Sequence, residues 1–171
     1  MIERKEQIEC LLETINEINK ISDLQWKDSL TERKLKELEF HDKDRDKSRI
    51  ENTKSSDTYE KYYGNKKYYA ATQRSKNFVQ DWIATEGKDK VFLDYACGNG
   101  GNAIAAAKAG AALSLGFDIS GISVKNATGA AALEGVTKKT RFFQADAENT
   151  MLPENSIDTI VCSGMLHHLD L

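Results

Sequence analysis

The chain contains 171 residues, of which 40% are hydrophobic and 30% are charged, and its formal net charge is −3. This length accommodates one domain of ordinary size together with an extension. The near balance of charge lacks the basic excess typical of nucleic-acid binding, and no apolar run is long enough to span a bilayer. Charged residues begin at the third position, which is unlike a secretory signal. We therefore expect a cytoplasmic protein without nucleic-acid or membrane partners.

The three cysteines, Cys10, Cys97 and Cys162, are far apart in the sequence and show no C-x-x-C spacing. An odd number of widely separated cysteines predicts reduced thiols rather than a disulfide framework or a zinc site. We interpret Cys97 and Cys162 as small apolar residues that fill a loop and a strand.

Residues 1–46 are rich in Lys, Glu and Asp, and their apolar residues recur every three or four positions. This spacing predicts amphipathic helices, each with one apolar stripe to bury. The stripe residues are Ile8, Leu11, Leu12, Ile15, Ile18, Leu30, Leu35 and Leu38. We interpret this part of the chain as a helical extension or cap, either solvated or forming a dimer contact. Residues 47–58 are polar and aperiodic, which predicts a linker.

Residues 59–89 begin with a tyrosine-dense stretch and continue into a helix that we expect to pack on the core. That helix places Phe78, Val79, Trp82 and Ile83 on one face, and Gly87 is expected to end it. The tyrosines are Tyr59, Tyr62, Tyr63, Tyr68 and Tyr69. Two interpretations are open. They cover the sheet as part of an amphipathic helix, which we favour, or they form an aromatic wall suited to a cationic ligand.

From residue 90 onward, short β-branched or aromatic runs alternate with alanine-rich helical segments. The predicted strands are Val91 to Tyr95, Leu113 to Asp118, Thr140 to Ala145 and Ile157 to Ser163. Strands that alternate with helices through short connections predict right-handed βαβ units and a parallel sheet. The fold class is therefore α/β, with helices that flank the sheet and the N-terminal helical extension.

The first of these strands runs into a glycine-rich turn in the stretch VFLDYACGNGG. Gly98 and Gly100 have no Cβ, so the backbone can approach a ligand closely at the start of the next helix. Gly98 to Ala103 also matches the dinucleotide pattern G-x-G-x-x-A, which keeps an NAD-dependent oxidoreductase as an alternative. However, the Asp94 carboxylate before the turn would repel a pyrophosphate and attract an ammonium group. This charge favours a nucleotide that carries an amino acid.

Acidic residues end the second and third predicted strands, where open α/β sheets bind their ligands. Asp118 can accept hydrogen bonds from both hydroxyl groups of a ribose, although it can also flank a helix cap at Ser120. The Asp146 carboxylate can accept a hydrogen bond from the exocyclic amino group of an adenine, and the Ala147 amide can donate one to a ring nitrogen. The alternative for Asp146 and Glu148 is that they only begin a turn.

The succession VFLDYACGNG, GFDIS and DAENTMLPENSID running into TIVCSGMLHHL resembles the class I S-adenosylmethionine-dependent methyltransferases, especially those that act on small molecules. The resemblance covers residues 90–171. It implies a Rossmann-like sheet with strand order 3-2-1-4, S-adenosylmethionine as cofactor and methyl transfer to a small-molecule acceptor. Residues 90–171 would form the cofactor-binding half of such a domain.

The resemblance also implies roles for individual residues. Asp94 would lie at the methionine end of the cofactor, Asp118 would hold the ribose and Ile119 would pack on the adenine. The implied cofactor-binding set is Asp94, Ala96, Cys97, Gly98, Gly100, Asp118, Ile119, Asp146, Ala147 and Ser163. Among these, Ser163 would border the site of methyl transfer.

The sequence departs from the family pattern in two respects. Ala96 stands where the family most often has glycine, so its methyl group requires either an ordinary φ or a less close approach to the ligand. The sequence also stops after the fourth strand, where the family fold normally continues with about three more strands. We therefore keep a non-catalytic cofactor-binding fragment as an alternative, and expect self-association through the open edge of strand four or the N-terminal helices.

His167 and His168 follow the last strand and are weak catalytic candidates, since an imidazole can take a proton from a substrate nucleophile. A purely structural pair is the interpretation we favour. No third ligand is apparent near them in the sequence, so we predict no metal site.

Overall fold

The structure is a computed structural model that describes residues 2–46 and 73–170. Its α-helices are α1 (Ile2–Ile18), α2 (Asp23–Ser29), α3 (Glu32–Arg45), α4 (Gln73–Glu86), α5 (Gly101–Ala109) and α6 (Gly121–Leu133), and Leu166–His168 forms a short 3₁₀ helix. The predicted linker at 47–58 and the tyrosine-dense stretch lie outside the described residues. Within the described ranges, no helix combines the length and apolar character needed to cross a membrane.

The sheet contains four parallel strands in the order β3-β2-β1-β4, which confirms the predicted topology. The strands are β1 (Val91–Tyr95), β2 (Leu113–Asp118), β3 (Thr140–Gln144) and β4 (Thr159–Cys162). β1 and β2 have the predicted bounds, whereas β3 and β4 are shorter than predicted. Because all four strands run in the same direction, their carboxyl ends meet at one edge of the sheet.

One face of the sheet is covered by α1. Leu11, Ile15 and Ile18 are buried in a cluster with residues of β1, β2 and β3. The guanidinium of Arg4 forms an ion pair with Asp158, whose carboxylate also accepts a hydrogen bond from the Val91 amide at 2.7 Å. The part of the predicted apolar stripe that belongs to α1 is thus buried, and it packs against the sheet.

The other face of the sheet is covered by α4, α5 and α6. Ile83 of α4 is fully buried beside Phe92 and Val161, and Val79 packs against the same cluster. The prediction that Phe78 and Trp82 share this buried face is wrong, because they are 70% and 38% exposed. Positions 79 and 83 form one i, i+4 row of the helix, and positions 78 and 82 form the next row, which is turned away from the sheet.

The cysteines differ in their surroundings. Cys97 is buried in the loop after β1, as predicted, among Ala103, Ile104 and Ala127. The interpretation of Cys162 as a strand-filling residue is wrong, because its side chain is exposed. β4 pairs with β1 on one side only among the described strands, so its side chains are less covered than those of the inner strands.

Candidate functional site

A cavity lies at the carboxyl edge of the sheet, between the loops that follow the strands and helix α3. Each strand contributes residues to its wall from the loop that follows it. The predicted site residues that line the cavity are Ala96, Gly98, Asp118, Ile119, Asp146, Ala147 and Ser163. The structure therefore brings together residues from four separate loops, as expected for a ligand site in an open α/β sheet.

Asp94, Cys97 and Gly100 lie behind the cavity wall rather than on it. Gly100 has φ +78°, and a Cβ there would lie 2.7 Å from the Phe142 ring and 2.8 Å from the Ala127 Cβ. Gly100 thus allows the turn to pack closely against β3 and α6. Burial raises the pKa of the Cys97 thiol, which agrees with a packing role for this side chain.

The Asp94 carboxylate is only 3% exposed and is directed at the start of α5. It accepts hydrogen bonds from the Asn102 side chain at 3.2 Å and from the Ala103 amide at 3.3 Å. Burial raises the pKa of Asp94 to about 6, although these hydrogen bonds act in the opposite direction. In this arrangement Asp94 holds the glycine-rich turn against the amino end of α5.

Ala96 has a left-handed backbone conformation with φ +56°. Of the two expectations for this residue, the ordinary φ is therefore wrong. A left-handed φ costs a residue with a Cβ about 1–2 kcal/mol, which explains why glycine suits this position better. Gly98, two residues later, also has a positive φ, and a Cβ there would lie 3.4 Å from the Arg45 guanidinium.

Asp118 joins two loops of the site and is 7% exposed. One carboxylate oxygen accepts a hydrogen bond from the Gly98 amide at 2.8 Å, and the other accepts from the Ser120 amide at 3.0 Å. The Ser120 hydroxyl in turn accepts from the Ser123 amide at the start of α6 and donates to Asp42 of α3. Asp118 thus flanks a helix cap and also lines the cavity, so the two interpretations of this residue are compatible.

The loop after β3 is bound to α3 by ion pairs. Lys34 Nζ lies 2.5 Å from Asp146 Oδ2 and 2.7 Å from Glu148 Oε2, and Arg33 Nη2 lies 2.5 Å from Glu148 Oε1. Hydrogen bonds from Lys34, the Asp170 amide and Arg33 lower the pKa of Glu148 to about 2. Burial alone would lower the pKa of Lys34, but its hydrogen bonds to the two carboxylates raise it.

Sequence reasoning missed the contribution of α3 to this site. Five of its residues line the cavity, namely Arg33, Lys34, Glu37, His41 and Arg45. From the sequence, their charged side chains are interpreted as part of a solvated cap or a dimer contact. No local pattern marks Arg33 and Lys34 as site residues, because their partners Glu148 and Asp146 lie more than 100 residues further along the chain.

The two candidate histidines have different environments. His168 lines the cavity, and its Nδ1 lies 3.2 Å from Glu37 Oε2, whereas His167 is not part of the cavity wall. His41 is also close to Glu37, with 3.6 Å between Nε2 and Oε2. The structure therefore places two further side chains with metal-ligating atoms near His168, where no third ligand is apparent from the sequence.

The second half of the chain is similar to known methyltransferases. Residues 92–171 match the family model described as "Methyltransferase domain". The chain is 33% identical over 90 residues to the ribosomal protein L11 methyltransferase of Haemophilus influenzae, a match that covers 52% of this chain and 30% of that protein. It is 28% identical over 134 residues to protein arginine N-methyltransferase 1 of Saccharomyces cerevisiae, which covers 71% and 37%, respectively.

Among solved structures, an RNA methyltransferase from Salinibacter ruber in complex with S-adenosyl-L-homocysteine aligns with a TM-score of 0.38 and 30% identity. That alignment covers 41% of this chain and 48% of the other. The chain spans about a third of the length of the curated relatives it matches.

Proposed function

We propose that this chain, whose residues 92–171 match the methyltransferase domain model, is a class I S-adenosylmethionine-dependent methyltransferase that binds its cofactor in the cavity at the carboxyl edge of the sheet and transfers a methyl group. One observation supports this proposal above the others. The glycine-rich loop, Asp118 and the Asp146 loop come from three different strands and line the same cavity. The family implies S-adenosylmethionine as the cofactor.

The residues on the cavity wall fit the parts of this cofactor. Asp118 would bind the ribose hydroxyl groups, and Ile119 would pack on the adenine. Each Asp118 oxygen accepts one backbone hydrogen bond, and a carboxylate oxygen can accept more than one. The Ala96 to Gly98 loop would approach the methionine end, and Ser163 would border the reactive methyl group. Asp94, Cys97 and Gly100 would act from behind, by holding the loop in place.

Binding of the adenine beside Asp146 would require α3 side chains to rearrange. Asp146 Oδ1 accepts a hydrogen bond from the Glu148 amide at 2.9 Å, and Oδ2 is bound to Lys34. An adenine amino group would therefore share Asp146 with Lys34 or displace it. The cavity measures about 160 Å³, which is below the usual 300–1,000 Å³ of small-molecule pockets. We infer that α3 or its side chains move outward when the cofactor enters.

The chemistry in this proposal needs no nucleophilic side chain. When bound, S-adenosylmethionine supplies an electrophilic methyl group on a sulfonium centre. The chain's own residues would position this group and the acceptor in line and keep water away from them. Helix α3 would help to exclude water, because five of its residues line the cavity. His168 lines the same cavity and remains a candidate base for acceptors that must lose a proton.

The proposal also includes the chemical class of the methyl acceptor. The resemblance favours a small molecule, whereas the two curated relatives are named as methyltransferases of ribosomal protein L11 and of protein arginine. A methyl-transfer assay with radiolabelled cofactor separates these classes if it compares small amines and phenols with arginine-containing peptides. Label in the small molecules alone supports the proposal, and label in the peptides alone contradicts it.

Cofactor binding itself is tested by isothermal titration with S-adenosylhomocysteine and, separately, with NADH. We expect saturable binding of S-adenosylhomocysteine with one site per chain and no saturable binding of NADH. The reverse result would refute the proposal in favour of a dinucleotide enzyme. Binding without any methyl transfer would instead support the non-catalytic fragment.

A further inference from the structure

A cluster of metal-ligating side chains joins α3 to the segment that follows β4. Glu37 and His41 are one helical turn apart on α3, and His168 belongs to the 3₁₀ helix Leu166–His168. Each residue offers one ligand atom, and these three atoms lie within 4.8 Å of one another. We propose that Glu37, His41 and His168 bind one divalent transition-metal ion, with Zn²⁺ as the cation that fits best.

The chemistry of the three side chains suits this class of cation. Imidazole nitrogen and carboxylate oxygen are common Zn²⁺ ligands, with bond lengths of about 2.0–2.2 Å. Tetrahedral ligands at such bond lengths lie about 3.3 Å from one another. The Glu37 oxygen is 3.2 Å from His168 Nδ1 and 3.6 Å from His41 Nε2, so two of the three separations are already close to this value. Only the two imidazoles must approach each other.

The neighbouring charges leave this cluster available to a cation. Three basic residues of α3 line the same cavity. Arg33 and Lys34 form ion pairs with Glu148, Lys34 also binds Asp146, and Arg45 forms an ion pair with Asp44. None of the three is paired with Glu37 by any ion pair of the described residues. The three ligand side chains are 25–32% exposed, so an ion from solvent can reach them while they are partly shielded.

A metal ion at this position would fasten α3 over the cavity. Arg33 Nη1 already donates a hydrogen bond to the His168 carbonyl at 2.7 Å, so the two segments are in contact before any ion binds. Three protein ligands leave a fourth coordination position, as in zinc sites that bind water or a substrate atom. Glu37, His41 and His168 all line the cavity, so this position is accessible from it. The inference goes beyond the proposed function and does not depend on cofactor binding. While His168 holds the ion, it would not act as the base for a methyl acceptor.

The test is isothermal titration of the full 171-residue chain with ZnCl₂ after removal of metal by a chelator. Exposed thiols also bind Zn²⁺, so every protein in the series carries Cys10→Ser and Cys162→Ser. We expect one Zn²⁺ ion per chain. His41→Ala and His168→Ala should each weaken binding by at least about tenfold, because loss of even an outer-shell partner of a ligand typically costs 10–100-fold in affinity.

His167→Ala is the matched control. Its ring centroid lies 4.0 Å from that of His168, but it is not among the three ligands. We expect its Zn²⁺ affinity to stay within about twofold of the parent, which is small beside the tenfold loss expected for a ligand. Absence of binding by the parent, unchanged binding in His41→Ala and His168→Ala, or an equal loss in His167→Ala would each overturn the proposal.

Hydrogen exchange provides a second readout that does not rely on affinity. Zn²⁺ should slow amide exchange in α3 and in residues 166–168 of the parent, because the ion links these two segments. The same addition should leave exchange in Glu37→Gln unchanged. Slower exchange in both proteins would show that the ion binds elsewhere and would also overturn the proposal.

Discussion

Replacement of Ala96 by glycine should stabilise this protein, although it removes a side chain from the interior of a loop. Ala96 has φ +56°, a conformation that costs an L residue about 1–2 kcal/mol and costs glycine almost nothing. Glycine also makes the unfolded chain more flexible, which offsets about 0.4–1 kcal/mol of this gain. The side chain is half-buried, so little packing is lost. We expect a net increase of about 0.5–1 kcal/mol in the free energy of unfolding.

The same substitution at Ala130 is the matched control. Ala130 is half-buried too, but it lies inside α6, where glycine costs about 0.5–1 kcal/mol. The two variants should therefore change stability in opposite directions. Urea denaturation followed by circular dichroism measures the free energy of unfolding of both variants. In a thermal scan of a chain of this size, a change of 1 kcal/mol corresponds to about 2–4 °C in Tm. If Ala96→Gly destabilises the protein as much as Ala130→Gly does, the argument from the left-handed backbone is refuted.

Three further substitutions test the site. Asp118→Ala should weaken binding of S-adenosylhomocysteine by more than about 1 kcal/mol, because a charged hydrogen-bonding partner is lost; unchanged affinity in a titration would place the ribose elsewhere. The folded-state pKa of Asp94 is raised to about 6, so its ionisation should lower stability as pH rises from about 4 to 6. Between pH 4 and pH 6, the stability of Asp94→Asn should rise relative to that of wild type by on the order of 2–3 kcal/mol. If the plots of stability against pH are parallel for the two proteins, the raised pKa of the buried Asp94 carboxyl is contradicted. Glu148 has a lowered pKa of about 2 in the folded state. Its contribution to the stability of the fold is therefore present at pH values above the ordinary pKa of a glutamate, and it is lost as pH falls toward 2. Lys34→Met should reduce this acid-side loss, and an unchanged acid titration of stability would show that Lys34 does not hold Glu148.

The helices and strands of residues 90–170 were predictable because their causes are local. Alternation of β-branched runs with alanine-rich segments predicts βαβ units, and these connections require parallel strands. Gly110 ends α5 with φ +103°, and Ser120 caps α6 through its hydroxyl, so even the ends of these helices follow from individual residues. The carboxyl-edge position of Asp118 and Asp146 follows from strand direction alone.

Other features depend on contacts that no local pattern encodes. The exposure of Cys162 arises because β4 has a single neighbour among the described strands. The exposed row of Phe78 and Trp82 arises because α4 turns its adjacent row toward the sheet. In both cases the residue type is apolar, and only the packing partner determines whether it is buried.

The sequence by itself determined the sheet, the glycine-rich turn and the acidic residues at the strand ends, because these depend on periodicity and on the backbone preferences of single residues. Only the tertiary structure decided that α3 covers the cavity, that Lys34 binds Asp146 and that His41 lies near His168. Charged and imidazole side chains can pair with many partners, and their choice depends on which segments the fold brings together. For this protein those partners are separated by more than 100 residues, so a helix with an unremarkable sequence forms one wall of the candidate site.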